Sequence, residues 1–349
     1  MAQSKPHLLV IRLSAMGDCA MAVPVLLALK KQYPELALTE LTKPFFITIF
    51  EFIPDIEVIG ADTKGEHKGF LGILKLGQTL AKRNFTGVAD LHHVLRSQLL
   101  RQVFAVHRIP TAHIDKGRKA KKALTRQKNK IFKPLKTTPE RYATVFKDLG
   151  YPIDLQNLSF LKPIPLRGKA QQIIGDKTTQ IIGIAPFAAH TPKAYPLDLM
   201  QEVIAHFNAQ SNIKILLFGG GQKEVEQLDK LAGTYDNVIS VAGKLRFKEE
   251  IALLSHLDIM LSMDSGNGHL AAMFGIPVIT LWGGTHPYAG FAPFGQPAVH
   301  QILPDLKQYP LLPTSVFGNK TLPGYEDVMR SITPGKVIQS VESALMMKD

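Results

Sequence analysis

Asp18, Lys193, Asp264 and His269 stand beside glycines, hydroxyl residues or a proline, in short segments where a helix is about to start. The latest segment is Met263-Asp264-Ser265-Gly266-Asn267-Gly268-His269-Leu270-Ala271-Ala272. An apolar run over 259–262 precedes it and a buried-strand pattern over 278–282 follows, so it reads as strand, polar turn, short helix, strand. Glycines there let backbone approach a ligand closely, and the amides that open a helix can face an anion. The same residues also read as an ordinary capped start, with Asp264 or Ser265 as N-cap. The earliest segment, Ser14-Ala15-Met16-Gly17-Asp18, closes a strand over 7–13 and opens a helix toward Lys31. A carboxylate at such a junction can take the proton of an attacking hydroxyl. It also complements the helix dipole, worth about 0.3–1 kcal/mol. Between them, Lys193-Ala194-Tyr195-Pro196 sets a lysine before a helix start, either to stabilise a departing anion or as a plain exposed side chain.

Taken in order, the three segments resemble glycosyltransferase family 9, the ADP-heptose:lipopolysaccharide heptosyltransferases. Members of that family carry an S-x-M-G-D turn after the first strand and a D-[ST]-G-x-x-H turn late in the chain. The resemblance implies an α/β fold of the GT-B type, with two Rossmann-like domains whose parallel sheets face a central cleft. It also implies an inverting, metal-independent transfer of heptose from ADP-heptose to a lipopolysaccharide core or related bacterial glycan. Asp18 is then the base, in a loop shaped by Ser14, Met16 and Gly17. Lys193 contacts donor phosphate, and Asp264, Ser265, Gly266, Asn267, Gly268 and His269 form the diphosphate cradle. The family places an acidic residue just past the turn at Gly219–Gly221 for the donor ribose. Gln222 occupies that place in the simplest register, and Glu224 is the acid chosen. Leu245 matches an apolar contact to adenine, and Thr285 lines the same cleft. The hydroxyl residues that family members often carry before the lysine are replaced here by Phe187-Ala188-Ala189-His190-Thr191, which leaves backbone amides for that work.

The elements that position these residues alternate. Strand patterns at 36–42, 56–60 and 86–91 are separated by helical stretches, and the alternation restarts at 181–185, 213–218, 238–241 and 258–262. Such βαβ alternation means parallel sheets, whose ligands sit beyond the carboxyl ends of the strands. A Pro-, Lys- and Gly-containing stretch at 161–179 divides the halves. The expected domains are 1–165 for the acceptor, 166–332 for the donor, and a terminal helix over 333–349. No G-x-G-x-x-G follows the first strand, Gly219-Gly220-Gly221 lacks the Gly-Lys-Ser/Thr of a P-loop, and no Asp-x-Asp pair occurs. Those absences weigh against a dehydrogenase and a P-loop NTPase, and for chemistry without metal or cofactor.

Charge adds a second clue. The net charge of +12 is concentrated before residue 166, where 26 Lys and Arg face 13 Asp and Glu. Ten basic residues and no acid lie within 116–136, a stretch expected to be a mobile loop or surface helix. With Phe132 its only aromatic, it fits a phosphate-rich glycolipid or anionic membrane surface better than nucleic acid. Lys119, Lys121 and Lys122 are its candidate acceptor contacts. Cys19 is the single cysteine, so no disulfide forms within the chain, and no run approaches the ~20 apolar residues of a membrane span. The expected location is the cytoplasm or the inner face of its membrane. Two rivals stay open: transfer of another sugar from another nucleotide, and a basic nucleic-acid- or membrane-binding protein without catalysis.

Overall fold

The computed structural model describes residues 5–175 and 179–347. From the amino end run β1 (His7–Ile11), α1 (Met16–Gln32), β2 (Ala37–Thr42), α2 (Ile47–Phe50), β3 (Ile56–Gly60), α3 (Gly69–Ala81), β4 (Gly87–Asp90), α4 (Leu95–Val106) and β5 (Thr111–His113). Next come α5 (Arg118–Thr125), α6 (Thr138–Asp148), α7 (Gly168–Ile174), β6 (Gln180–Ala185), α8 (Leu197–Asn208), β7 (Ile213–Leu217), α9 (Gln222–Ala232) and β8 (Val238–Ser240). The chain ends with α10 (Phe247–Leu254), β9 (Ile259–Met263), α11 (Gly266–Ala272), β10 (Val278–Leu281), β11 (Gln301–Ile302) and α12 (Pro334–Met346).

Two units result. The first holds a parallel sheet in the order β3-β2-β1-β4-β5. The second holds a parallel sheet in the order β11-β10-β9-β6-β7-β8. Their strands read as near-continuous apolar runs because helices cover both faces. Leu9, Ile11, Leu41, Val88, Leu100 and Phe104 share the first core. Ile182, Ile215, Leu217, Leu261, Phe207 and Ile279 share the second.

The division of the chain differs from the sequence-based one in two places. The first unit comprises the stretch ending at Lys116 together with Thr138–Leu161, while Gly117–Thr137 packs with the second unit. The basic stretch is therefore a strap of the second unit, although it lies between two segments of the first in sequence. Its anchors explain why. Lys130 Nζ donates to the carbonyls of Leu312 at 2.9 Å and Pro313 at 3.4 Å. Phe132 packs against the rings of His286 and Tyr288, and Leu135 N–H donates to Tyr288 O. The terminal helix is likewise not a separate body: Val337, Val341, Ala344 and Leu345 of α12 belong to the second core.

Candidate active site

In each sheet the strand order reverses direction once, beside the first strand of that unit. Such a switch point opens a crevice at the carboxyl edge, because the connections on its two sides run opposite ways. In the second unit it falls between β6 and β9. The loop after β6 carries Lys193 and the loop after β9 carries Asp264. Lys193 Nζ donates to Asp264 O at 2.8 Å and to Asp264 Oδ2 at 2.9 Å. Both side chains are about nine-tenths buried. The reading of Lys193 as an exposed lysine is thereby excluded.

Glycines let this pair form. Pro192 and Lys193 lie in a one-turn helix over Thr191–Lys193, and Gly284 N–H donates to Pro192 O at 2.8 Å. A Cβ on Gly318 would stand 2.5 Å from Lys193 Cγ, and one on Gly283 would collide with Pro192 O. Backbone at Gly283 and Gly318 thus lies close against the lysine and its loop. Gly268 has a similar, internal purpose: its Cβ would meet Ser262 Oγ at 2.5 Å. The missing side chain lets α11 lie on β9, so Gly268 has a packing role of its own.

Ser265 is the N-cap of α11, and its Oγ is buried without a hydrogen-bond partner among the described residues. Gly266 and Asn267 follow, half-buried, in the first turn, whose amides have no intrahelical acceptor. His269 is buried within α11 at 6% exposure. Thr285 is buried too, and its hydroxyl donates to Val316 O at 2.8 Å, so it holds its own loop. Glu224 and Leu245 follow β7 and β8 on the same edge of the sheet. The Glu224 carboxylate accepts from Gly220 N–H at 2.8 Å, which folds it back over the glycine turn. Gln222 points its amide at Glu226 Oε1. Leu245 is half-buried before α10.

The first unit has its own switch point, between β1 and β4, and Asp18 lies there. Its carboxylate pairs with Arg12 and is one-third exposed, whereas Arg12 is almost fully buried. Arg12 is held by three further contacts. Its backbone N–H donates to Glu40 Oε1 at 3.1 Å, Nη1 donates to Leu91 O at 2.6 Å, and the guanidinium lies 5.8 Å from the Tyr142 ring centre. Tyr142 in turn donates its hydroxyl to Asp18 O at 3.2 Å. Complete burial pushes the Glu40 carboxyl well above the usual carboxylate range, against the pull of Arg12 beside it. Burial, with Arg12 and Lys116 nearby, pulls the His92 imidazole down to about 3 and keeps it neutral. The Cys19 thiol is buried and pushed up, which makes it inert.

Arg12 was not among the residues singled out from sequence. Its signal is a lone cation in the run Val10-Ile11-Arg12-Leu13, which burial tolerates only if the charge is paired. The lysine candidates fare unequally. Lys119 and Lys122 are exposed on α5, but Lys121 is buried with Nζ 4.0 Å from the Phe291 ring centre. All three belong to the second unit, not to the acceptor half expected from sequence. No group of three or more His, Cys, Asp or Glu suited to a metal occurs among the described residues.

Two parallel doubly wound sheets, each with polar residues at its switch point, make up a fold of the GT-B type. Residues 73–313 match glycosyltransferase family 9 (heptosyltransferase), and the chain belongs to that family. It is 25% identical over 290 residues to a lipopolysaccharide core heptosyltransferase of Haemophilus influenzae, covering 82% of this chain and 81% of that one. It is 26% identical to Escherichia coli lipopolysaccharide heptosyltransferase 3, covering 77% and 80%. Among solved structures, a family 9 glycosyltransferase of Veillonella parvula superposes with a TM-score of 0.75, at 19% identity and 99% coverage of both chains. The E. coli heptosyltransferase WaaC with ADP superposes with a TM-score of 0.68, at 19% identity, covering 97% of this chain and 99% of that one.

Proposed function

We propose that this enzyme transfers heptose from ADP-heptose to an anionic lipopolysaccharide-type glycolipid, with inversion and without a metal. The observation that carries the reading is the Lys193–Asp264 pair at the β6/β9 switch point, beside the open amides of α11. A nucleoside diphosphate departing from a sugar gains negative charge, and a buried lysine with fixed dipoles stabilises that charge without reorganising. Lys193, Ser265, Gly266 and Asn267 take the diphosphate, and Asp264 holds the lysine until it arrives. Glu224 and Leu245, further along the edge, take the ribose and adenine. The named substrates of the relatives support donor and acceptor, and the absence of any Asp-x-Asp pair supports metal independence.

Asp18 is the base in this reading. As the acceptor oxygen attacks the anomeric carbon, its proton passes to the carboxylate oxygen that Arg12 leaves open. The bond from that carbon to the diphosphate breaks on the opposite face. Thermal-shift screening of ADP, UDP and GDP and their sugars tests the donor. ADP or an ADP-sugar should raise the melting temperature, by mass action worth about 2.7 kcal/mol at a hundred times Kd. Lys193→Ala should abolish most of that rise, and EDTA should leave transfer unchanged. A rise with UDP or GDP alone, or one that survives in Lys193→Ala, would remove the assignment.

A further inference from the structure

The strap of the second unit has two unlike faces. Inward, α5 buries Lys121 and Leu124, with the Lys121 ammonium over the Phe291 ring. Outward, it exposes Arg118, Lys119 and Lys122, and Arg126 follows at its end. Positions i, i+1 and i+4 of α5 lie within about a third of the helix circumference, and Arg126 caps its end, so the cations are grouped on the exposed side. The chain then folds back: Ile131 N–H donates to Ala123 O at 3.0 Å, which brings Ile131, 49% exposed, alongside α5. Phe317, 61% exposed, stacks on Phe291 with ring centres 5.9 Å apart. Phe291 is the ring that carries Lys121, so Phe317 and α5 pack against the same ring.

We propose that this face, made of Arg118, Lys119, Lys122, Arg126, Ile131 and Phe317, is where the second unit rests on an anionic lipid bilayer. The proposal rests on the glycolipid-acceptor reading above and specifies which surface meets the membrane. Cations attract the anionic headgroups, and exposed apolar side chains enter the boundary between headgroup and acyl chain. No acidic residue occurs within 117–137 to neutralise the field. A single-stranded nucleic acid would need several open ring faces for stacking. Phe132 is instead packed against His286 and Tyr288, and Phe317 has one face on Phe291. A bilayer asks only for charge and a few apolar contacts. The consequence is that docking belongs to the unit carrying the Lys193–Asp264 site.

Sedimentation of the full chain with vesicles tests this, using phosphatidylcholine alone and with about one-third phosphatidylglycerol. Wild type should partition onto the anionic vesicles only, and added salt should release it. Replacing Lys119, Lys122 and Arg126 together with Gln should lower partitioning more than tenfold, at about fivefold per cation near the surface. Phe317→Ser should lower it further without altering the salt dependence. Unchanged melting temperatures in these variants establish that the fold is intact. Equal binding to neutral vesicles, wild-type partitioning of the triple variant, or displacement by single-stranded RNA would overturn the proposal. Sugar transfer to a lipid-free core oligosaccharide separates the two readings. Transfer without vesicle binding overturns the surface alone. Vesicle binding without transfer supports the surface and removes the catalytic reading.

Discussion

At the scale of single residues, Asp18 and Arg12 form a unit in which one side chain faces outward and the other does not. Arg12 is fixed by Glu40, Leu91 O and Tyr142, so the carboxylate it pairs with has little freedom to turn. Asp18→Asn keeps the shape but removes the carboxylate that is the base in the proposed reaction. Turnover should fall by about 10²–10⁴-fold, the usual contribution of a general base, while donor-induced stabilisation persists. Turnover near wild type would reassign Asp18 to helix capping. The loops themselves were legible in the sequence because small polar residues and glycines stand out after apolar strands. The Lys193–Asp264 pair was not, since its members lie 71 residues apart and only the sheet order brings them together. Arg12 stayed hidden because its partners Glu40, Leu91 and Tyr142 come from three other parts of the chain.

Among the elements, most strands follow their apolar runs closely, and even the edge strand β3 is legible at Ile56–Gly60 to the residue. The edge strands β5 and β11 were missed. They span three and two residues, too short for any periodicity to register. Helix α7 lies within the stretch assigned to a linker, where glycines and lysines mask a single buried side made by Ala170 and Ile174. Helix α11 is a short helix after a Gly-rich turn, as its sequence predicts, and Gly268 has a packing role that the sequence does not reveal. Because Gly268 makes room for Ser262, Gly268→Ala should destabilise the fold by about 1–3 kcal/mol, the usual cost of overpacking. Ser262→Ala in the same chain should recover part of the loss. Urea unfolding of the single and double variants measures both, and a neutral Gly268→Ala would return that glycine to a ligand-facing role.

For the molecule as a whole, charge is where sequence order misleads most. Counted by sequence halves, the excess positive charge lies in the first. Counted by the units that pack together, the first holds 16 Lys and Arg against 13 acids, and the second holds 25 against 16. The strap causes the reversal, and nothing in its composition states which unit it joins. Its attachment has a pH signature. His286 is buried beneath Phe132 and its Nδ1 accepts from Tyr288 N–H at 3.1 Å, a bond that protonation removes. Burial and the nearby Lys130 pull its pKa down to about 4. Its lowered folded value means that the unfolded chain binds the proton first. Stability attached to neutral His286 is therefore complete above about pH 6.5 and is lost as pH falls toward 4, by up to about 3 kcal/mol. His286→Gln should flatten that acid limb in urea midpoints taken between pH 7.5 and 4.5. An unaltered slope would place the titration elsewhere.

The strap also has a history within each molecule's synthesis. It leaves the ribosome before its anchors at His286, Tyr288, Phe291 and Leu311–Pro313 exist, and the first unit cannot close until Thr138–Leu161 has emerged behind it. At about 5–20 residues per second the delay before the last anchor arrives is roughly 10–40 s. Throughout that interval Ile131 and Phe132 have nothing to pack on. A stretch so dense in like charges repels its own copies and resists collapse, so its cations keep the nascent chain from aggregating until the anchors arrive.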